Sequence, residues 1–392
     1  MSAIENKNKR LILLMAITCG VAVANLYYIQ PVESMISESL NITHAQVGFA
    51  ATIIQIGYAI GLFFIVPMGD LIERKKLIMI LLSSSALTLF FISLNQLYSL
   101  LLILLFILGF SSVTAQIVIP FAAVISSEEE RGKNLGVVLS GLLIGILLSR
   151  TVSGFIGSQL GWRYVFVFGS LMMIVLLILV GILFPKDYPT TKVKYKELIL
   201  SLFKLFKEQK EVREAAVNGF FMFGSFSAFW TSLIFLLASP IYNLGAKEAG
   251  LLGLVGVVGA LVAPFVGKIA DNRNPNFTIG IGTVLSFIAY IVLALFGKSM
   301  IGLVLGVLII DIGNQTSQVS NQTKIQNLKP EYRSRNNTLY MFSYFVGGAT
   351  GSLLSSVMWQ QYGWLGVCLV GITFQLLALV CHYIIFRERS IR

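Results

Sequence analysis

Residues 129–134 read Glu129-Glu130-Arg131-Gly132-Lys133-Asn134, and residues 331–336 read Glu331-Tyr332-Arg333-Ser334-Arg335-Asn336. Both fit the pattern Glu-x-Arg-x-(Lys/Arg)-Asn, and they stand 202 positions apart, each in a polar gap between two long apolar runs. The same shift, carried outward, places Thr114 and Gln116 on Thr316 and Gln318. It also places Gly145 on Gly347, and Gly161-Trp162 on Gly363-Trp364. With one residue of slippage Asp70 falls on Asp271. Self-similarity at one fixed offset marks a chain assembled from repeated units, and here the unit is half the molecule.

The 392 residues are 56% hydrophobic and only 12% charged, with a mean hydropathy of +0.83. A soluble domain carries about 25% charged residues, so this chain lacks the charge needed to wet its surface. Its apolar residues gather in runs of about 20, each long enough to cross a hydrocarbon core about 30 Å thick as a helix. The runs cover 11–31, 46–67, 77–94, 98–125, 135–157, 163–185, 216–238, 249–266, 277–296, 300–323, 337–359 and 364–386. The expected fold is therefore an all-α membrane protein of 12 transmembrane helices in two pseudo-symmetric six-helix bundles. The bundles occupy 1–185 and 216–392, and a cytoplasmic linker at 186–215 joins them. In that linker Leu198, Leu202, Leu205 and Phe206 recur at helical spacing, as in an interfacial amphipathic helix.

With the N-terminus in the cytoplasm, nearly all of the 29 Lys and Arg residues fall on the cytoplasmic side. Arg163, Lys247 and Lys298 lie opposite, and Arg150 lies inside a span. The positive-inside rule then puts both termini in the cytoplasm. Ala22-Val23-Ala24 follows Lys9-Arg10 as a signal-peptidase site would, but the apolar stretch continues through Tyr28, so an uncleaved first span is expected. The net charge of +11 is spread between apolar runs rather than concentrated on one face, which argues against a nucleic-acid partner. Cys19, Cys368 and Cys381 lie singly in apolar runs and form no metal-ligand spacing. Gly297-Lys298-Ser299 resembles the end of a P-loop, but Val292 stands where Gly is required. No cofactor, metal or nucleotide is expected, and no hydrolase motif is present.

Two halves related by an axis along the membrane normal describe one large transporter class, with its substrate site between the halves near the midplane. At residue level the chain resembles the major facilitator superfamily. That superfamily's loop motif after span two, G-x-x-x-D-R-x-G-R-(R/K), is matched by Val66 to Lys76, which keeps Asp70 and the basic residues Arg74, Lys75 and Lys76. A second copy, Gly267 to Arg273, keeps Gly267 and Asp271. Ala24-Asn25-Leu26-Tyr27-Tyr28-Ile29-Gln30-Pro31, together with Gln116–Ala123 and Ser140–Gly154, is similar to bacterial 12-span inner-membrane carriers grouped with the drug:proton antiporters. The resemblance implies a multi-pass protein of a bacterial inner membrane, monomeric as is usual for the fold. It would exchange protons for a small-molecule substrate across the lipid bilayer. It also implies a cytoplasmic gate at Asp70, Arg74, Lys75, Asp271 and Arg273. Ser149-Arg150 stand near the place of the antiporter Gly-Pro pair. The expected function is therefore proton-coupled export of small amphipathic compounds or drugs by alternating access, or else carriage of one specific metabolite.

Ionisable residues inside spans cost about 2.5–3.5 kcal/mol on insertion scales and are functional candidates by default. Asp311 and Arg150 sit well inside, and Glu33 at the outer end of span one. These three are the proton-coupling candidates, with Arg150 and Glu33 as a possible ion pair or Arg150 as a clamp for a substrate anion. Asp311 heads a stripe with Asn314, Gln315, Gln318, Asn321 and Gln322, all on one helical face. Such a face cannot look at lipid; it lines a packed contact or a wet cavity. A partly dehydrated cavity favours the protonated carboxyl, which would let Asp311 bind and release a proton. The cavity is expected to be lined by Asn25, Tyr28, Gln30, Gln116, Phe226, Trp230, Gln315 and Gln318, a mixture of aromatic and amide groups. Gly-rich faces at Gly141, Gly145 and Gly154, and at Gly347, Gly348 and Gly351, suit close helix packing.

Overall fold

The computed structural model describes residues 2–127, 130–187, 194–256, 275–329 and 332–385. No strand occurs among the described residues. In chain order the α-helices are α1 (Ser2–Ala24), α2 (Glu33–Leu40), α3 (His44–Phe64), α4 (Arg74–Leu94), α5 (Tyr98–Ser111), α6 (Thr114–Ile125), α7 (Arg131–Leu160) and α8 (Trp162–Leu183). Then come α9 (Tyr195–Glu208), α10 (Lys210–Ala238), α11 (246–256), α12 (Pro275–Phe296), α13 (Met300–Gln326) and α14 (Arg333–Val380). Nine helical stretches among the described residues are long and apolar enough to cross a membrane. The last of them is broken at Gly363, whose φ of 58° no helix accommodates.

Two expected spans are not continuous helices. The first stops at Ala24 and runs through turns into a short 3₁₀ segment at Gln30–Val32. Pro31 explains the interruption: it has no N–H to give the carbonyl four residues back, and its ring crowds that carbonyl. The backbone tightens instead into Tyr27 N–H to Ala24 O (3.0 Å) and Val32 N–H to Ile29 O (3.0 Å). The fourth span breaks at Ser112 and Val113, between α5 and α6. There the hydroxyls of Ser111 and Ser112 bond back to the carbonyls of Ile107 (2.9 Å) and Leu108 (2.7 Å). Such side-chain competition bends a helix.

The repeat read from the sequence has a backbone signature. Among the described residues, positive φ occurs at Asn41 and Asn243 (both 51°), at Gly161 (98°) and at Gly363 (58°). These are two pairs, each separated by the offset of 202. Arg131 and Arg333, also at that offset, each donate Nε–H to a carbonyl at the end of the preceding helix: Ala123 (3.2 Å) and Gln326 (2.8 Å). Glu129 and Glu331 of the loop motif lie outside the described residues, as do Asp271 and Arg273.

α1 packs along α7 and α6, α4 along α8 and α5, and α10 along α14, while α12 packs along α13 and α14. Glycine sets the distance in two of these contacts. A Cβ on Gly20 or Gly145 would collide with the backbone of the facing helix in the α1–α7 pair. The same holds for Gly347 and Gly351 against α10. Close approach replaces the missing hydrophobic drive between helices in lipid. The outward faces keep Ile80, Leu87, Ile103, Ile144, Ile178 and Ile182 exposed, which suits a hydrocarbon surround.

In the linker helix α9 the structure departs from the expected face. Leu198, Leu202 and Leu205 are buried, but Phe206 is 39% exposed. The helix turns its leucines to the protein: Phe203 meets the Phe63 ring edge-on at 5.6 Å, and the Tyr195 hydroxyl donates to Phe64 O (2.8 Å).

Candidate functional site

The interrupted first span lays Tyr27 and Gln30 against α7, which brings Arg150 to meet them. Arg150 is 2% exposed. Its Nε donates to Gln30 Oε1 (2.8 Å), and its Cζ lies over the rings of Tyr27 (4.7 Å) and Trp230 (4.3 Å). Two aromatic faces and an amide oxygen thus hold the cation without an anionic contact, and cation–π attraction is strongest when the cation is desolvated. Nη2 of Arg150 has no hydrogen-bond partner. The backbone behind it is clamped: a Cβ on Gly250 would stand 2.7 Å from Arg150 O, and Thr151 Oγ1 donates to Gly250 O (2.9 Å).

Asp311 arrives from α13. Its side chain lies against Gly256, where a Cβ would be 3.2 Å from Oδ1, and its Oδ2 is buried without a partner. Arg150 and Asp311 pack on neighbouring turns of α11, where a Cβ on Gly253 would stand 3.6 Å from Arg150 Cδ and one on Gly256 3.2 Å from Asp311 Oδ1, yet they form no salt bridge with each other. The sequence suggested Glu33 as the partner of Arg150, and the structure corrects this. Glu33 is fully buried at the start of α2 with both carboxylate oxygens unpartnered, and Gln30 has taken the guanidinium. The reason is local: the Pro31 turn separates Glu33 from the helical register that would have aimed it at α7.

The amide stripe on α13 divides between two environments. Asn314 Nδ2 donates to the Tyr344 hydroxyl (3.3 Å), which in turn donates to Gln318 Oε1 (3.3 Å). Tyr344 stacks on Phe223 at 4.0 Å, and Phe223, Phe226 and Trp230 continue an aromatic wall along α10. Gln315 and Gln318 are half-buried beside it. Farther along, Asn321 Nδ2 and Ser317 Oγ both donate to Asn218 Oδ1 (2.7 Å each), and Asn218 Nδ2 donates to Thr283 Oγ1 (3.2 Å). That end of the stripe is a packed helix contact, not a cavity wall. Gln322 turns toward Met341.

Of the other expected lining residues, Gln116 lies near the Tyr58 hydroxyl (3.4 Å). Asn25 points away from the centre and donates to Met173 Sδ (3.5 Å) in the contact with α8, and its Oδ1 is unpartnered. Tyr28 is buried in the α1–α8 region, within 3.2 Å of where a Cβ on Gly169 would stand.

Two groups went unread in the sequence. Gln55 on α3 donates Nε2–H to Ser227 Oγ (2.8 Å) and Ser352 Oγ (2.9 Å), and Thr231 completes the cluster at 2.9 Å from Ser352. It ties α3 to α10 and α14. A lone Gln among apolar residues, recurring with serines 172 and 297 positions away, has no short-range signature. At the loop after α3, Arg74 bridges Asp70 (3.2 Å) and Asp187 (2.6 Å), and Lys75 Nζ donates to the carbonyls of Gly181 and Phe184 (2.8 Å each) at the end of α8. A cation on the last carbonyls of a helix complements its dipole. Asp187 was not foreseen because it is remote in sequence from the motif.

The sequence profile of the Major Facilitator Superfamily matches residues 13–352. The chain is 38% identical over 370 residues to a putative uncharacterized transporter, YgaY, of Escherichia coli K12, covering 94% of each protein. It is 28% identical over 358 residues to the probable transporter SCO4007 of Streptomyces coelicolor, covering 91% of this chain and 83% of that protein. Among solved structures, it resembles the nucleoside transporter NupG with a TM-score of 0.72 at 14% identity, covering 95% of this chain and 97% of that one. It also resembles a bacterial homologue of the human lysosomal transporter Spinster in an inward-facing, unoccupied conformation. There the TM-score is 0.74 at 15% identity, with 97% and 94% covered.

Proposed function

The chain belongs to the Major Facilitator Superfamily and is a multi-pass membrane transporter rather than an enzyme. From that premise we propose that it is a proton-coupled secondary transporter working by alternating access, with twelve spans in two six-helix halves and both termini in the cytoplasm. Asp311 is the proton-responsive group, and the substrate lies between it and Arg150. The observation that supports this reading is a pair of opposite buried charges, Arg150 on α7 and Asp311 on α13, that pack on neighbouring turns of α11 without contact. Isolated buried ions are costly, so each is stabilised by a counter-charge that the cycle brings and removes. A proton on Asp311 and a substrate between the charges are alternative ways to meet that cost. Helix α3 against α14, and α7 against α11, form the contacts between the halves that must part for access to alternate.

Of the two substrate readings, one specific carried compound is supported by the hydrogen-bonded, ring-clamped fixation of Arg150. Broad export of amphipathic compounds is supported by the aromatic wall of Phe223, Phe226, Trp230 and Tyr344. Susceptibility of a deletion strain and an overexpressing strain to a panel of dyes and biocides separates them: broad resistance on overexpression supports export. For the coupling, everted vesicles holding a pH gradient are challenged with each compound that the strains handle differently. Asp311→Asn is expected to abolish gradient-driven movement while leaving protein levels near wild type. Retention of that movement would dismiss Asp311 as the coupling group.

A further inference from the structure

Of the sixteen buried side-chain polar atoms without a hydrogen-bond partner among the described residues, four belong to Arg150 and Asp311 and their immediate neighbours: Arg150 Nη2, Trp230 Nε1, Asp311 Oδ2 and Asn314 Oδ1. All four side chains are at least nine-tenths buried. Buried polar groups in folded proteins are satisfied nearly without exception, and a cluster of orphans calls for an explanation. Their chemistry sorts by position. The two donors sit together, because Arg150 lies over the Trp230 ring. The two acceptors also sit together, one turn apart on α13. One side therefore offers N–H groups and a positive charge, and the other offers oxygens and a negative charge.

We infer that the compound this site takes is a small zwitterion of the amino-acid type: its carboxylate on Arg150 Nη2 and Trp230 Nε1, its ammonium on Asp311 Oδ2 and Asn314 Oδ1. The inference rests on the transport reading above and narrows its substrate class. A ligand bearing only a carboxylate would satisfy Arg150 but face the Asp311 carboxylate across the site. A ligand bearing only an ammonium would satisfy Asp311 but face the guanidinium. Only a molecule carrying both charges meets all four atoms while Asp311 is ionised. Because Arg150 lies against Gly253 and Asp311 against Gly256, one turn apart on α11, the ligand's own charges must be close together, as on one α-carbon, rather than at the ends of a long chain. The rest of the ligand meets rings: Tyr27 and Trp230 flank Arg150, and Phe226 is 6.1 Å from Trp230. An apolar or aromatic side chain fits that wall. The same geometry makes the substrate ammonium and a proton competitors for Asp311, which is the requirement for exchanging one against the other.

The test uses the purified full chain in lipid nanodiscs and reads binding by quenching of tryptophan fluorescence and by thermal stabilisation. The probes are leucine, methionine and phenylalanine, each beside its N-acetyl derivative, which keeps only the carboxylate, and its amide, which keeps only the ammonium. At least one free amino acid is expected to bind tenfold or more tighter than both of its blocked forms at neutral pH. Arg150→Gln should reduce that amino acid to the affinity of its amide, and Asp311→Asn should reduce it to that of its N-acetyl form. Far-UV circular dichroism and gel filtration confirm that both variants are folded. The proposal is overturned if every blocked form binds as well as its parent, or if no amino acid binds. It is also overturned if only the N-acetyl forms bind and do so more tightly as pH falls, since that describes an anion taken up with a protonated Asp311. The transport reading is judged separately by the vesicle assay above: gradient-driven movement of another compound, with no amino acid bound, sinks the zwitterion and leaves the transporter standing.

Discussion

Replacing Gln55 with leucine tests whether the contact between α3 and the α10–α14 pair is a latch of the transport cycle. Gln55 makes two donor bonds, to Ser227 (2.8 Å) and Ser352 (2.9 Å), and Ser227 reaches back to its Oε1 at 3.2 Å. Leucine keeps most of the volume and removes all three. The serines are not orphaned, since Ser352 still meets Ser227 and Thr231 at 2.9 Å each, so no desolvation penalty adds to the loss. Interhelical hydrogen bonds in membrane proteins average about 0.6 kcal/mol and soluble ones about 1 kcal/mol. Three bonds are therefore worth about 2 kcal/mol. If the latch holds α3 and α14 together, Gln55→Leu raises the ratio of parted to closed molecules by about 30-fold. The assay is the distance between spin labels at the exposed positions Glu38 and Gln361, measured by double electron–electron resonance with the three native cysteines replaced. A longer-distance population is expected to grow at the expense of the short one, and Ser352→Ala should move it in the same direction by a smaller amount. An unchanged distribution in both variants would refute the latch and make the cluster static packing.

Three further outcomes are expected. Gly154 packs so closely on α11 that a Cβ would strike Ala246 O; Gly154→Leu should abolish transport with helical content unchanged by circular dichroism, while Gly132→Leu, with nothing nearby, should be silent. Asn218→Leu leaves Ser317 and Asn321 without the acceptor they share at 2.7 Å; the loss of about 1–3 kcal/mol should lower the midpoint of thermal unfolding in detergent by several degrees. Gly161→Ala and Gly363→Ala meet no side chain, so their cost is backbone strain alone at φ of 98° and 58°; each should destabilise by about 1–2 kcal/mol, and a similar shift in unfolding midpoint for both would reflect their equivalent places in the repeat.

The transporter family, the apolar helices and the charges buried within them were legible in the sequence, because each rests on local quantities. A run of about 20 apolar residues, a charge inside it and an identity at a fixed offset need no knowledge of what lies across the molecule. The offset also relates backbone geometry: Gly161 and Gly363 both take a positive φ, 98° and 58°, at equivalent places before a tryptophan. Asn41 and Asn243, at the same offset, share a φ of 51°.

Partners were another matter. Arg150 announced itself as a costly buried cation, but whether Glu33, Gln30 or Asp311 would meet it depends on a turn set by Pro31 and on how α7, α11 and α13 come together. The amide stripe on α13 was correctly placed on one face of a helix. Yet a face is not an environment: Asn314 reaches Tyr344 while Asn321 is sealed against Asn218, ten residues apart on one rod whose two ends meet different neighbours. Gln55 carried no signal, since its meaning comes from serines on two distant helices. Burial cost and periodicity belong to a segment and can be read along the chain; the identity of the group that offsets a buried charge or donor belongs to the packing of several segments, and only the tertiary structure decides it.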